Sequence, residues 1–123
     1  MDIKETSEVK SFEDLKGPDF FNVMYDEIKK VENGVDLMTT LGIITRAELN
    51  DQTKIEDNLP LYDLITNYGV RIAKKEVSSG DPRLNALAPA TLNVTLEASR
   101  RIHNFMTNHP DYTRTSNTPE PQT

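Results

Sequence analysis

Between Leu59 and Met106 the chain repeats its apolar residues with the period of an α-helix, twice, on either side of a Ser-Ser-Gly-Asp-Pro break. In the first half Leu61, Leu64, Ile65, Tyr68, Ile72 and Val77 fall on one face. In the second half Leu92, Leu96, Ser99, Ile102, His103 and Met106 do the same. Two long amphipathic helices joined by a tight break fold back on each other, so residues 59–109 are expected to form an antiparallel helical hairpin. Ser78-Ser79-Gly80 stops the first helix, and Asp81-Pro82 restarts the chain as cap and first helical residue. Pro89 is expected to kink or interrupt the second helix, which then resumes near Ala90. Gly69 is a tolerated interior glycine with a propensity cost of about 1 kcal/mol.

The first half of the chain is also helical in pattern. Ser11–Lys16 reads as a short capped helix, ended by Gly17-Pro18. Phe20, Phe21, Met24, Tyr25, Ile28 and Val31 keep helical spacing up to Asn33-Gly34. Neither flank of that Asn-Gly pair alternates with period two, so it marks a helix stop and not a hairpin. Val35, Met38, Leu41 and Ile44 continue the pattern, with Gly42 as an expected end. Thr45 to Glu48 has the form of a capping box, which predicts a new short helix there. That helix, turn, helix reading of LGIITRAELND resembles a DNA-reading unit only superficially, because its flanks are acidic. Asp57 or Asn58 is expected to cap the next helix, with Pro60 in its first turn. The expectation is an all-α, oligomeric protein. A flexible leader spans 1–10, one helical domain 11–109, with N-terminal helices in 11–50, and a disordered tail 110–123.

Bulk properties narrow the function. A chain of 123 residues suits one domain, and one this small gains from assembling with copies of itself. No apolar run approaches the roughly 20 residues of a membrane span, and the polar N-terminus is unlike a signal peptide. The location expected is therefore the cytoplasm, and the Asn93-Val94-Thr95 sequon is read as chance. With no cysteine, disulfides and thiolate metal sites are excluded. The net charge of −6 is uneven: residues 1–61 hold 14 acidic and 7 basic groups, residues 62–123 hold 6 and 7. The basic surplus sits in the hairpin, at Arg71, Lys74, Lys75, Arg83, Arg100 and Arg101.

No catalytic constellation emerges. His103 and His109 lie six residues apart, on different helical faces, and neither has a carboxylate at metal-ligand spacing. The pairs Glu13/Asp14, Asp26/Glu27 and Glu56/Asp57 are adjacent residues that diverge by about 100° on a helix, so they do not converge as acid and base. No phosphate-binding glycine loop or nucleophile elbow is present. The expectation is a protein without enzymatic activity, metal, cofactor or small-molecule substrate. The six basic residues read as a solvated face in a monomer. In an assembly of many copies they become a phosphate-contacting stripe, since salt-dependent affinity grows with the number of phosphates met.

The run GDPRLNALAPATLNVTLEASRRIHNFM resembles the second hairpin helix of small terminase subunits of tailed bacteriophages. The matching pieces are Asp81-Pro82-Arg83, Ala88-Pro89-Ala90-Thr91-Leu92-Asn93 and the helix through Phe105, within residues 59–109. The resemblance implies a viral DNA-packaging protein that forms a ring in the host cytoplasm. It would contact double-stranded DNA and regulate a large ATPase–nuclease subunit that does the chemistry. It implies subunit contacts through Leu64, Ile65, Tyr68, Ile72, Leu92, Leu96 and Ile102, and a tail that engages the large subunit. The chain departs from that pattern in lacking a basic recognition helix in its first 60 residues, which moves expected DNA contact to the hairpin. The rival expectation is an acidic helical adaptor or inhibitor that docks on a basic protein surface, as a DNA mimic does.

Overall fold

In the computed structural model, which describes residues 15–112, four helices follow one another. They are α1 (Gly17–Lys29), α2 (Gly34–Leu49), α3 (Ile55–Ser78) and α4 (Pro82–Asn108). The leader, residues 11–14 of the expected first short helix, and the tail beyond 112 lie outside the described residues. Leu15 and Lys16 are not helical, and Lys16 is extended (φ −140°, ψ 157°) as the residue before α1.

Local chemistry sets each start. Gly17 has a φ of +53°, a left-handed conformation that glycine adopts without strain, and Pro18 follows in the first turn. The Gly17 amide donates to the Gln52 carbonyl (3.2 Å), and the Gln52 side chain donates to the Leu15 carbonyl (3.0 Å). The entry to α1 is thereby tied to the α2–α3 turn. Asn33 caps α2 by accepting from the Asp36 amide (2.9 Å). Asp81 caps α4 by accepting from the Arg83 amide (2.9 Å). Asn85 donates to the carbonyls of Glu76 (2.7 Å) and Ser79 (3.0 Å), which closes the end of α3.

The helices alternate in direction. α1 starts beside the α2–α3 turn, and α2 starts against Glu76 near the end of α3. α1 therefore runs with α3, and α2 with α4. The largest packing interface is between α3 and α4, the hairpin read from the sequence, and α2 lies against both. Phe20, Met24, Ile28, Leu37, Ile44, Leu61, Tyr62, Ile65 and Ala98 are fully enclosed between the four helices.

Several local expectations are corrected. Gly42 does not end α2, and the helix–turn–helix reading of residues 41–51 falls with it. The Thr45 hydroxyl donates back to the Gly42 carbonyl (3.1 Å), and Glu48 turns inward, so no capping box forms. α3 starts at Ile55, ahead of both expected caps: Asp57 is already helical, and Asn58 is buried and donates to Glu48 (2.8 Å). Pro60 and Pro89 both lie inside continuous helices. The carbonyls they leave without a helical donor belong to Glu56 and Asn85, exposed residues that water can serve. The tail begins ordered, as a turn through Tyr112, whose ring meets Phe105 edge-on at 5.0 Å.

The buried face of α4 differs most from expectation. It is Ala88, Thr91, Val94, Thr95, Ala98, Ile102 and Phe105, while Leu92, Leu96, Ser99 and His103 face outward. Two glycines explain the rotation. A Cβ on Gly34 would collide with Thr91 Oγ1, and one on Gly69 would collide with Thr95 Oγ1. α4 thus approaches α2 and α3 backbone-close at two threonines. Their hydroxyls are satisfied: Thr91 donates to Glu76 (2.6 Å), and Thr95 to the Thr91 carbonyl (2.8 Å).

Candidate interaction surfaces

The six basic residues separate into two groups. Arg71, Lys74 and Lys75 are exposed on the last turns of α3, and Arg83 projects from the first turn of α4 with its side chain 91% exposed. Arg83 pairs with Asp81 at 3.3 Å, and its side chain, then its amide, hold the Asp81 carboxyl below the ordinary range. Arg100 and Arg101 stand 17 and 18 residues further on, roughly 25 Å along α4. The structure does not bring them to the hairpin end. Arg100 pairs with Glu97 at 3.5 Å. Arg101 is half-buried between Glu48 (3.4 Å) and Glu97 (3.3 Å), with its guanidinium 5.8 Å from the Tyr62 ring centre.

Glu48 organises a polar cluster that the sequence reading did not single out. One carboxylate oxygen accepts from Asn58 and from the Tyr62 hydroxyl, and the other meets Arg101. Thr53 donates to the side-chain Oδ1 of Asn58 (3.3 Å). Burial, and next the bond to Glu48, push the Tyr62 phenol far above its usual range. At the opposite end of the bundle, Glu76 is buried and accepts from the Gly34 amide (3.3 Å) and from Thr91. It holds the start of α2 against the hairpin. Glu48 is thus an inward-facing hub and not the expected capping-box acid, and apolar periodicity carries no signal for Glu76.

The proposed contact residues also divide. Ile65, Ile72 and Ile102 are buried within the chain itself, so an interface between folded subunits excludes them. Leu64 and Tyr68 are half-buried. Leu92 and Leu96 are 44% and 60% exposed, and Val70 and Val77 on α3 are 42% and 63% exposed. These four share one side of the hairpin. Asn85 stands seven residues before Leu92, on the same helical face, and its amide reaches the Glu76 carbonyl beside Val77. Along that side of α4, Asn85, Pro89, Leu92, Leu96, Ser99 and His103 are spaced by alternating steps of four and three, the spacing of a coiled-coil seam.

His103 is exposed. His109 stacks on Phe105 at 4.0 Å and its Nδ1 lies 3.0 Å from the Phe105 carbonyl oxygen. Among the described residues no three His, Cys, Asp or Glu side chains gather as a metal site, and no helix is long and apolar enough to cross a membrane. Comparison with protein-family models, with curated proteins and with solved structures returns no match for this chain.

Proposed function

We propose that the chain is a non-catalytic assembly protein whose copies pack through the outer side of the α3–α4 hairpin and present its basic end to double-stranded DNA. In its specific form this is the small terminase reading: a ring that recognises viral DNA and regulates a large ATPase–nuclease subunit. The observation that supports it is the exposure of Leu92 and Leu96 in a seam-like register while the inner face of α4 is already filled. Arg71, Lys74, Lys75 and Arg83 lie near one end of that hairpin, so assembly multiplies one cationic patch.

The test is mass in solution, by light scattering at micromolar concentration. A multi-copy assembly is expected. Leu92→Glu with Leu96→Glu should give a monomer with unchanged helical circular dichroism, because both side chains already face outward. A monomeric wild type overturns the proposal. A second reading, docking on a basic protein surface, draws on the exposed carboxylates Asp19 and Asp26 of α1 and Glu56 and Asp57 of α3. It predicts salt-sensitive binding to a cationic protein column by a monomer.

A further inference from the structure

We propose that the outer side of the α1–α3 pair is a stacking platform for single-stranded nucleic acid, built from Tyr25 with Lys29 and Tyr68 with Arg71. Each tyrosine carries a cation on its ring. The Lys29 ammonium lies 5.1 Å from the Tyr25 ring centre, and the Arg71 guanidinium 4.8 Å from that of Tyr68. Tyr25 is an exposed ring backed by Phe21, with ring centres 6.0 Å apart and nearly parallel planes.

On the register set by Phe21 and Asp57, the Tyr68 unit stands about 10 Å further along the α1–α3 pair than the Tyr25 unit. Phe21 and Asp57 line one surface cleft at the lower end of the α1–α3 pair. From Phe21, steps of four residues lead up α1 to Tyr25 and Lys29. From Asp57, steps of seven, four, three and four lead up α3 to Leu64, Tyr68, Arg71 and Lys75. The two helices run in the same direction, so the stripes climb together. The stripe thus begins acidic at Asp57 and ends cationic at Arg71 and Lys75.

The cations that cover the two rings are on flexible stems, so a base can take the ring face as the cation moves to the phosphate of the same strand. A duplex keeps its base faces inside the stack and cannot use the rings. Ring stacking and phosphate neutralisation carry no sequence information, so the platform should bind without sequence preference. The platform is complete on one chain and does not rest on the ring proposed above.

The test uses the full chain and a fluorescent oligothymidylate of about a dozen nucleotides, followed by anisotropy across a salt series. The strand should bind more tightly than a blunt duplex of the same length. Tyr25→Leu and Tyr68→Leu, which keep apolar bulk, should each weaken binding about tenfold, whereas Tyr68→Phe should not. Arg71→Gln with Lys75→Gln should lower the slope of log affinity against log salt by about 0.7 for each phosphate no longer neutralised. Leu92→Glu with Leu96→Glu, on another side of the hairpin, should leave strand binding unchanged. Equal affinity for duplex and strand, unaltered binding by leucine variants of unchanged melting temperature, or no strand binding at low salt overturns the inference. A monomer that binds the strand upholds this platform while removing the ring, and a ring that binds only duplex does the reverse.

Discussion

Gly69→Ala separates two physical accounts of the same glycine, because they differ in sign. Helix propensity alone makes alanine the better residue in the middle of α3, by about 1 kcal/mol. Packing says the opposite. The added Cβ would collide with Thr95 Oγ1 and lie 3.2 Å from both Thr95 Cβ and Leu37 Cδ2. Rotating Thr95 does not clear the space, since its Cβ is itself close and the residue is buried. α3 and α4 must then move apart, with an overpacking cost of about 1–3 kcal/mol. Gly69 also meets Leu37, so α2 is disturbed as well, which places the cost in the upper half of that range. After the propensity gain, a net loss of about 1–2 kcal/mol is expected, or about 4–8 °C in melting temperature per kcal/mol for a domain of this size. Urea unfolding at fixed protomer concentration measures it, since any assembly makes stability concentration-dependent. Adding Thr95→Ala removes the colliding Oγ1 and leaves the Cβ contact at 3.2 Å, so it should relieve most but not all of the strain. The Thr95 hydroxyl donates only within its own helix, to Thr91, so its removal strands no donor. The pair should be non-additive by about 1–2 kcal/mol. Gly42→Ala is the internal control: nothing stands within 4 Å of its added Cβ, and about 1 kcal/mol of stabilisation is expected. Equal stabilisation by Gly69→Ala and Gly42→Ala would refute the close-approach account.

Glu76→Ala should destabilise by about 2–3 kcal/mol, because it removes a charged acceptor from the Gly34 amide and the Thr91 hydroxyl. Amide exchange should quicken first in the opening turn of α2, and unaltered exchange there would remove Glu76 from its anchoring role. Tyr62 gives a pH prediction. Its folded phenol holds its proton well above the ordinary 10.0, so its contribution is complete below that pH. As pH rises further, the unfolded chain loses this proton while the folded chain keeps it, and stability falls. Tyr62→Phe should cost about 1 kcal/mol at neutral pH by removing the hydrogen bond to Glu48, yet flatten the alkaline decline. Parallel alkaline limbs for the two proteins would contradict this.

Helix existence was legible because apolar spacing records it directly: the faces through Phe20, Met24 and Ile28, and through Leu61, Ile65 and Ile72, are buried as read. Helix ends were less legible, because ends depend on who satisfies which polar group. Asn58 has the composition of a cap, but its amide is engaged by Glu48 and Thr53 from other elements. Gly42 looks like a stop, but no left-handed turn is required there, and the helix continues through it. The basic residues were individually visible. What spacing could not show is that Arg101 is held by Glu48, a partner 53 residues away.

The misread face of α4 has a physical cause that also bears on assembly. Periodicity assigns burial to the largest apolar residues, which favours Leu92 and Leu96. Close approach selects small side chains opposite glycines, which favours Thr91 and Thr95 opposite Gly34 and Gly69. The second requirement prevails only because both hydroxyls are satisfied internally, so their burial does not incur the penalty of about 1–3 kcal/mol for an unpaired polar group. The rotation leaves two leucines partly in water, where full burial of each is worth about 1.5–3 kcal/mol. That unrealised burial lies along the seam register of α4 and beside Val70 and Val77. A partner helix laid on that side would recover it without disturbing the threonine contacts beneath, so the assembly proposed above and monomer packing would draw on different faces of the same helix and need not compete.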